Sequence, residues 1–142
     1  MRVQLALNVE NLEEAISYYS KLFGVEVNKR KPGYANFAID APPLKLVLFE
    51  APGAPERLNH LGVETFEQSD VDDAIQRFDA AGIKTAQEEE STCCFATQNK
   101  VWSTDPQGMR WEWYKILADA DEFGTTGHDT RVDSDDAPGC CG

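Results

Sequence analysis

Two adjacent cysteine pairs, Cys93-Cys94 and Cys140-Cys141, are the most distinctive chemistry in this 142-residue chain. Soft thiolates select soft, thiophilic partners. Trivalent arsenic is one, and its small hydroxylated species are neutral. Neighbouring residues of a strand point to opposite faces, so two thiols grip one atom only where the backbone leaves the strand pattern. Glu88 to Thr92, just before the first pair, reads as such a loop. The same carboxylates disfavour a free thiolate nucleophile and leave binding by proton displacement as the better use of the sulfurs. A pair of small buried residues, or a fortuitous repeat, is the plainer alternative, and the second pair weakens it.

A metal site is the other candidate. The chain has only two histidines, His60 and His128, so a centre built mainly of imidazoles within one chain is excluded. His60 opens the first strand of the second half, and its counterpart in the first half is Gln4. Glu112 lies in the last strand between Trp111 and Trp113, and Glu50 ends the last strand of the first half. If the halves pack about a pseudo-twofold axis, Gln4, Glu50, His60 and Glu112 can converge on one face. One carboxylate, one imidazole and one carboxamide oxygen resemble a facial triad, which favours iron(II) and leaves positions open; zinc, nickel or manganese also suits such ligands. Taken singly, His60 reads equally as a hydrogen-bonded structural residue and Glu112 as a solvated strand carboxylate. His128 lies in the tail as a bystander.

The elements that must position these residues come in two similar runs. Val3, Leu5, Leu7 and Val9 alternate with Gln4, Ala6 and Asn8, the period of a half-buried strand. A helix follows, with Asn11 as cap, Glu14 completing a capping box, Leu12, Ala15, Ile16, Tyr19, Leu22 and Phe23 at helical spacing, and Gly24 closing it. Strand-like segments are expected at Val25 to Lys29, Tyr34 to Ile39 and Lys45 to Glu50. After Ala51 to Leu58 the order repeats: a strand over Asn59 to Phe66, a helix over Ser69 to Ala81, then strands near Ile83 to Ala86, Phe95 to Thr104 and Trp111 to Ile116. Ala15-Ile16 matches Ala74-Ile75, so the halves form an internal repeat of strand, helix and three strands. Neither half buries much surface alone, and joining the two sheets edge to edge into one curved surface is the economical solution. The expected fold is therefore α+β, two βαβββ modules (about 1–54 and 55–116) sharing a curved mixed sheet. Pairing within one chain and exchange between the chains of a homodimer both satisfy that pattern.

Composition bounds the partners. An apolar fraction of 42% builds a core, while a formal net charge of -12 makes nucleic acid and anionic membranes poor partners. Residues 117–142 hold seven acids and one base, half of the net charge, and are expected as an acidic flexible tail. No apolar run is long enough for a signal or a span, which reads as cytoplasmic. In a reducing compartment four cysteines suggest metal or metalloid chemistry.

With these residues in place, the chain resembles the vicinal-oxygen-chelate superfamily of glyoxalases, bleomycin-resistance proteins and extradiol dioxygenases. Within it the chain is similar to the carbon-arsenic lyases, and a cadmium-induced group is close. The likeness rests on Val3 to Val9, Tyr19 to Gly24, Pro32 to Ile39, Pro43 to Leu48, His60 to Val63, Cys93-Cys94 and Lys100 to Trp102. It implies that Gln4, His60 and Glu112 bind Fe(II), and that Cys93 and Cys94 hold the arsenic of a trivalent organoarsenical, which dioxygen then attacks to leave arsenite. Most dioxygenases of the superfamily carry a second histidine where Gln4 stands, and relatives often have Tyr where Phe95 stands. Glu50 matches the fourth ligand of glyoxalase-like members. The alternatives are a cadmium- or arsenite-binding resistance protein of the same fold and, more remotely, a glyoxalase-like isomerase using Glu50 and Glu112.

Overall fold

The computed structural model describes residues 1–120, so His128 and Cys140-Cys141 lie outside the described residues. Strand β1 (Arg2–Val9) leads into helix α1 (Leu12–Phe23), then β2 (Lys29–Lys31), β3 (Tyr34–Ile39) and β4 (Leu44–Glu50). The order repeats as β5 (Leu58–Thr65), α2 (Gln68–Ala80), β6 (Thr85–Cys93), β7 (Ala96–Thr104) and β8 (Arg110–Asp119). Asn11 starts α1 by accepting the Glu14 amide at 3.0 Å, and Gly24 at φ 67° ends it in the left-handed conformation that a side chain would resist.

All eight strands form one mixed sheet in the order β2-β3-β4-β1-β5-β8-β7-β6. The modules join through antiparallel β1 and β5, and each of these runs parallel to the last strand of its own module. Module pairing thus occurs within the single chain. On the convex side, α1 closes over Phe37, Ile39, Leu46 and Leu48, with Leu5, Leu7 and Val9 from the apolar stripe of β1. Fully burying one such side chain stabilises the fold by about 1.5–3 kcal/mol. Helix α2 covers the other module with Val71 and Ala74 buried and Phe78 edge-on to Trp113. The polar stripes of the same strands face inward across the concave side. Curling nearly closes that side, because Lys29 on one edge strand donates to the Phe95 carbonyl beside the other at 3.0 Å and pairs with Asp119 at the end of β8.

Three sequence expectations are corrected. The strand expected at Val25 to Lys29 lies instead at Lys29–Lys31. Pro32-Gly33 forms a two-residue turn, with Gly33 at φ 71°, that sets Lys31 opposite Tyr34, while Val25 and Val27 go into the core. Glu88 to Thr92 is not a loop but part of β6, with a bulge between Glu88 and Ser91. An edge strand tolerates that run of carboxylates because its outer side faces water. Phe95 consequently sits in the turn before β7 rather than in the strand.

Candidate metal and thiol site

Strand register explains why Gln4, His60 and Glu112 meet. Gln4 of β1 lies opposite Gly62 of β5, which in turn lies opposite Glu112 of β8; His60 is one step along the same face, opposite Ala6. Gly62 leaves the space over which its neighbours reach each other. A Cβ there would stand 2.8 Å from Glu112 Cγ and 3.3 Å from Gln4 Nε2.

The three side chains are buried and in mutual contact. His60 Nε2 lies 3.1 Å from Glu112 Oε1 and 3.1 Å from the Gln4 amide nitrogen, which donates to Glu112 Oε1 at 2.6 Å. Three donors at about 2.1 Å from a metal, arranged facially, lie ~3.0 Å from one another. The triangle therefore has the size of a facial triad, once the Gln4 amide turns its oxygen inward. That turn is open to it, because Tyr114 Oη, which now donates to Gln4 Oε1, accepts as well as donates. The donor set of one imidazole, one carboxylate and one carboxamide fits iron(II) or another first-row divalent ion. No cluster of three His, Cys, Asp or Glu side chains stands together among the described residues, so the site depends on Gln4 as the third ligand.

Burial alone would raise the Glu112 carboxyl, yet the Lys100 ammonium at 3.2 Å and the His60 and Gln4 contacts outweigh it and hold it at about 2. Glu112 is thus an anion in the folded protein, with Oε2 on Lys100 and Oε1 facing Gln4 and His60. Burial pushes the Tyr114 phenol well above its ordinary value and keeps it neutral. Trp102 meets the His60 ring edge-on at 5.2 Å, and its buried Nε1 has no hydrogen-bond partner among the described residues. It is a donor held beside the cluster without an acceptor among the described residues.

Glu50 does not join them. It is exposed, and its Oε2 accepts the Leu12 amide at 2.8 Å, serving the start of α1. Register gives the reason. Ala6 pairs with Val47 as Gly62 pairs with Glu112, so the pseudo-twofold counterpart of Glu112 is Val47, and the first module contributes only Gln4.

The cysteines lie on the same side of the sheet. Cys93 is the last residue of β6, paired with Ala96, and Cys94-Phe95 form the two-residue turn between them. Both turn residues have positive φ, 50° and 61°, in a turn type usually built on Asn-Gly. Such a conformation costs a side-chain-bearing residue roughly 1–2 kcal/mol. Packing holds it: Phe95 lies against Tyr34 at 5.3 Å between ring centres, Lys29 and the Ala120 amide bond its carbonyl, and Gln98 Nε2 bonds the Cys93 carbonyl at 2.9 Å. The turn thereby brings the two sulfurs to 3.2 Å, close enough for one atom to bridge them. A cavity of about 180 Å³ is lined by Cys94 together with Gln4, His60 and Glu112, and by Tyr34, Asn36, Lys45 and Tyr114. Cys93 lies directly behind it, fully buried against Tyr34 and Phe49.

Sequence reasoning missed Lys100, Tyr114, Gly62 and Trp102 as parts of this site. Lys100 belongs to a segment that carries the family likeness but has no local signal of burial, because a lysine on an alternating strand reads as solvent-facing until register places it beside Glu112. Tyr114 was the accessible one, since it lies two residues from Glu112 on β8 and so shares its face.

Comparison with known proteins bears on the family and the fold. The family model Glyoxalase/Bleomycin resistance protein/Dioxygenase superfamily matches residues 2–113. The chain is 55% identical over 140 residues to the cadmium-induced protein CadI of Mycobacterium bovis, covering 99% of this chain and 92% of that one. It is 48% identical over 141 residues to a trivalent organoarsenical cleaving enzyme of Thermomonospora curvata, covering 99% and 87%. Among solved structures, the Mn(II)-bound glyoxalase of Novosphingobium aromaticivorans matches with a TM-score of 0.60 at 19% identity, over 87% of this chain and 41% of that one, and shares the fold. No helix among the described residues is long and apolar enough to cross a membrane.

Proposed function

The chain belongs to the glyoxalase, bleomycin resistance protein and dioxygenase superfamily, and from that premise we propose that it is an iron(II)-dependent dioxygenase cleaving the carbon-arsenic bond of trivalent organoarsenicals. The observation that carries this reading is the single cavity lined by Cys94 and by Gln4, His60 and Glu112, with Cys93 beside it. A relative 48% identical over nearly the whole chain is named a trivalent organoarsenical cleaving enzyme.

Gln4, His60 and Glu112 are the residues that would hold the metal. Iron(II), when bound, supplies the electron chemistry that lets dioxygen react with a closed-shell substrate. Cys93 and Cys94, as thiols, displace the hydroxyls of a neutral arsenical and fix its arsenic through two sulfurs, which turns an encounter into an oriented contact. Lys100 holds the Glu112 carboxylate from its far oxygen, and Tyr114 sets the Gln4 amide. With methylarsonous acid the atoms balance as arsenical plus dioxygen giving arsenite plus formaldehyde, so no external reductant enters. The reducing cytoplasm is the compartment that keeps the thiols competent.

The test is arsenite and formaldehyde release from methylarsonous acid by iron-loaded, thiol-reduced protein, with and without oxygen. Release in equal amounts and only with oxygen is expected. The 55% identity to a protein named for cadmium induction favours a second reading, retention of cadmium or arsenite by the same sulfurs without turnover. That reading predicts stoichiometric binding and no oxygen uptake.

A further inference from the structure

Strand β5 carries a bulge directly before His60. Ala6 pairs with His60 and Leu7 with Leu58, leaving Asn59 without a partner on β1. Alternation would turn neighbouring side chains to opposite faces. The extra residue relaxes that rule, and bulges of this kind beside active sites re-aim a side chain. Here it brings the Asn59 amide oxygen to 2.7 Å from His60 Nδ1.

The direction of this hydrogen bond is fixed from outside the site. The Glu56 backbone carbonyl can only accept, so Asn8 Nδ2, at 2.9 Å from it, donates. Asn8 Oδ1 therefore faces the other way and accepts from Asn59 Nδ2 at 3.1 Å. That leaves Asn59 Oδ1 as the acceptor and His60 Nδ1-H as the donor. An amide on its own can be flipped without changing its shape, but a relay grounded on a carbonyl has one polarity. The ground is itself held: the Asn8 backbone amide bonds the Arg57 carbonyl at 2.7 Å, and Glu10 bonds both Arg57 and the Gly53 amide.

We propose that Asn59 is a positioning residue which, through Asn8 and the Glu56 carbonyl, keeps a proton on His60 Nδ1, so that Nε2, which faces Gln4 and Glu112, is the nitrogen that gives its lone pair to a metal. The segment between the modules thereby fixes which His60 nitrogen a metal would meet. This rests on the reading of His60 as a ligand, and metal-ligating histidines characteristically donate their other nitrogen in this way, such partners contributing about 10–100-fold in affinity.

The experiment uses the full-length, thiol-reduced protein and two independent readouts. Nitrogen-15 NMR of the metal-free protein reports whether His60 Nδ1 carries a proton, and Mn(II) titration followed by EPR reports affinity at the nitrogen and oxygen ligands, since thiols hold Mn(II) poorly. Asn59→Leu is expected to shift His60 towards the Nε2-H form and to weaken Mn(II) binding by roughly tenfold or more. Asn59→Asp keeps the acceptor and is expected to retain the Nδ1-H form and bind Mn(II) at least as well as the natural protein. Asn8→Ala leaves Asn59 in place but removes its anchor, and is expected to give a mixture of the two forms. Circular dichroism checks that each variant folds, and Asn8→Ala carries the test if Asn59→Leu does not. An unchanged Nδ1-H signal in both Asn59→Leu and Asn8→Ala overturns the proposal. Failure of the natural protein to bind Mn(II), with the NMR shifts as expected, overturns the metal reading of the site instead.

Discussion

Replacing Gly62 with alanine is expected to disturb Glu112 and Gln4 together, and the sign of the result is informative. Gly62 lies in β5 without the positive φ that would demand glycine. At such a position an alanine ordinarily stabilises a protein by about 0.4–1 kcal/mol, because it restricts the unfolded chain. Here the added Cβ would stand 2.8 Å from Glu112 Cγ and 3.0 Å from the Glu112 backbone oxygen. Carbon atoms pack comfortably at about 3.5–4.0 Å, so the Glu112 side chain must retreat by ~0.7 Å or the β5-β8 spacing must open. Overpacking of this kind costs about 1–3 kcal/mol, which outweighs the entropic gain and leaves a net loss of roughly 1–2 kcal/mol. For a domain of this size that is a fall of about 3–8 °C in Tm. The displaced carboxylate also exceeds the ~0.5 Å tolerance of a preorganised site, so Mn(II) affinity is expected to fall at least tenfold. Thermal melts with and without Mn(II), read beside EPR titrations, measure both quantities. A variant that melts as high as the natural protein and binds Mn(II) equally well would refute the packing argument and the assignment of the site to these residues.

Other perturbations separate the parts of the site. Cys93→Ser and Cys94→Ser are expected to abolish arsenite release while leaving Mn(II) affinity within about twofold, because the sulfurs stand beside the triad without belonging to it; equal loss of both would place the cysteines in the metal shell. Lys100→Met removes one partner of a buried ion pair and is expected to destabilise the metal-free protein by roughly 3–5 kcal/mol, with part of the loss recovered on adding Mn(II); denaturant unfolding with and without the ion measures it. Glu112 also gives the metal-free protein an acid limit. Its folded carboxyl is depressed from 4.5 to about 2, so its stabilising contribution is complete above about pH 4.5 and is lost as pH falls towards 2. Stability measured down that range should fall less steeply in Glu112→Gln than in the natural protein.

Much of the fold was legible because local signals agreed with one another. Alternation in β1, the Asn11 cap, Gly24 and the repeated order of elements all led to one curved sheet. The meeting of Gln4 and His60 followed from the repeat, since a pseudo-twofold pairing puts equivalent positions on one face, whereas the counterpart assigned to Glu112 did not. Glu50 was drawn in by counting from the end of its strand; register assigns the symmetric position to Val47 instead. Register is a property of pairing between strands distant in sequence, and no local pattern encodes it. The bulge at Asn59 and the positive φ of Cys94 and Phe95 were hidden for a related reason: both break a local preference, and contacts from elsewhere in the fold sustain them. Phe95 in particular read as a strand residue because aromatic residues favour strands, whereas Tyr34 and Lys29 hold it in the turn.

Whether the thiols and the metal ligands serve one cavity is open to a single direct measurement. The measurement is the EPR spectrum of bound Mn(II) before and after one equivalent of methylarsonous acid, in thiol-reduced protein carrying Cys140→Ser and Cys141→Ser so that only Cys93 and Cys94 remain. Arsenical captured beside Gln4, His60 and Glu112 is expected to alter the Mn(II) spectrum, and the change should vanish when Cys94→Ser is added. An arsenical that binds with full stoichiometry while the Mn(II) spectrum stays the same would contradict the shared cavity.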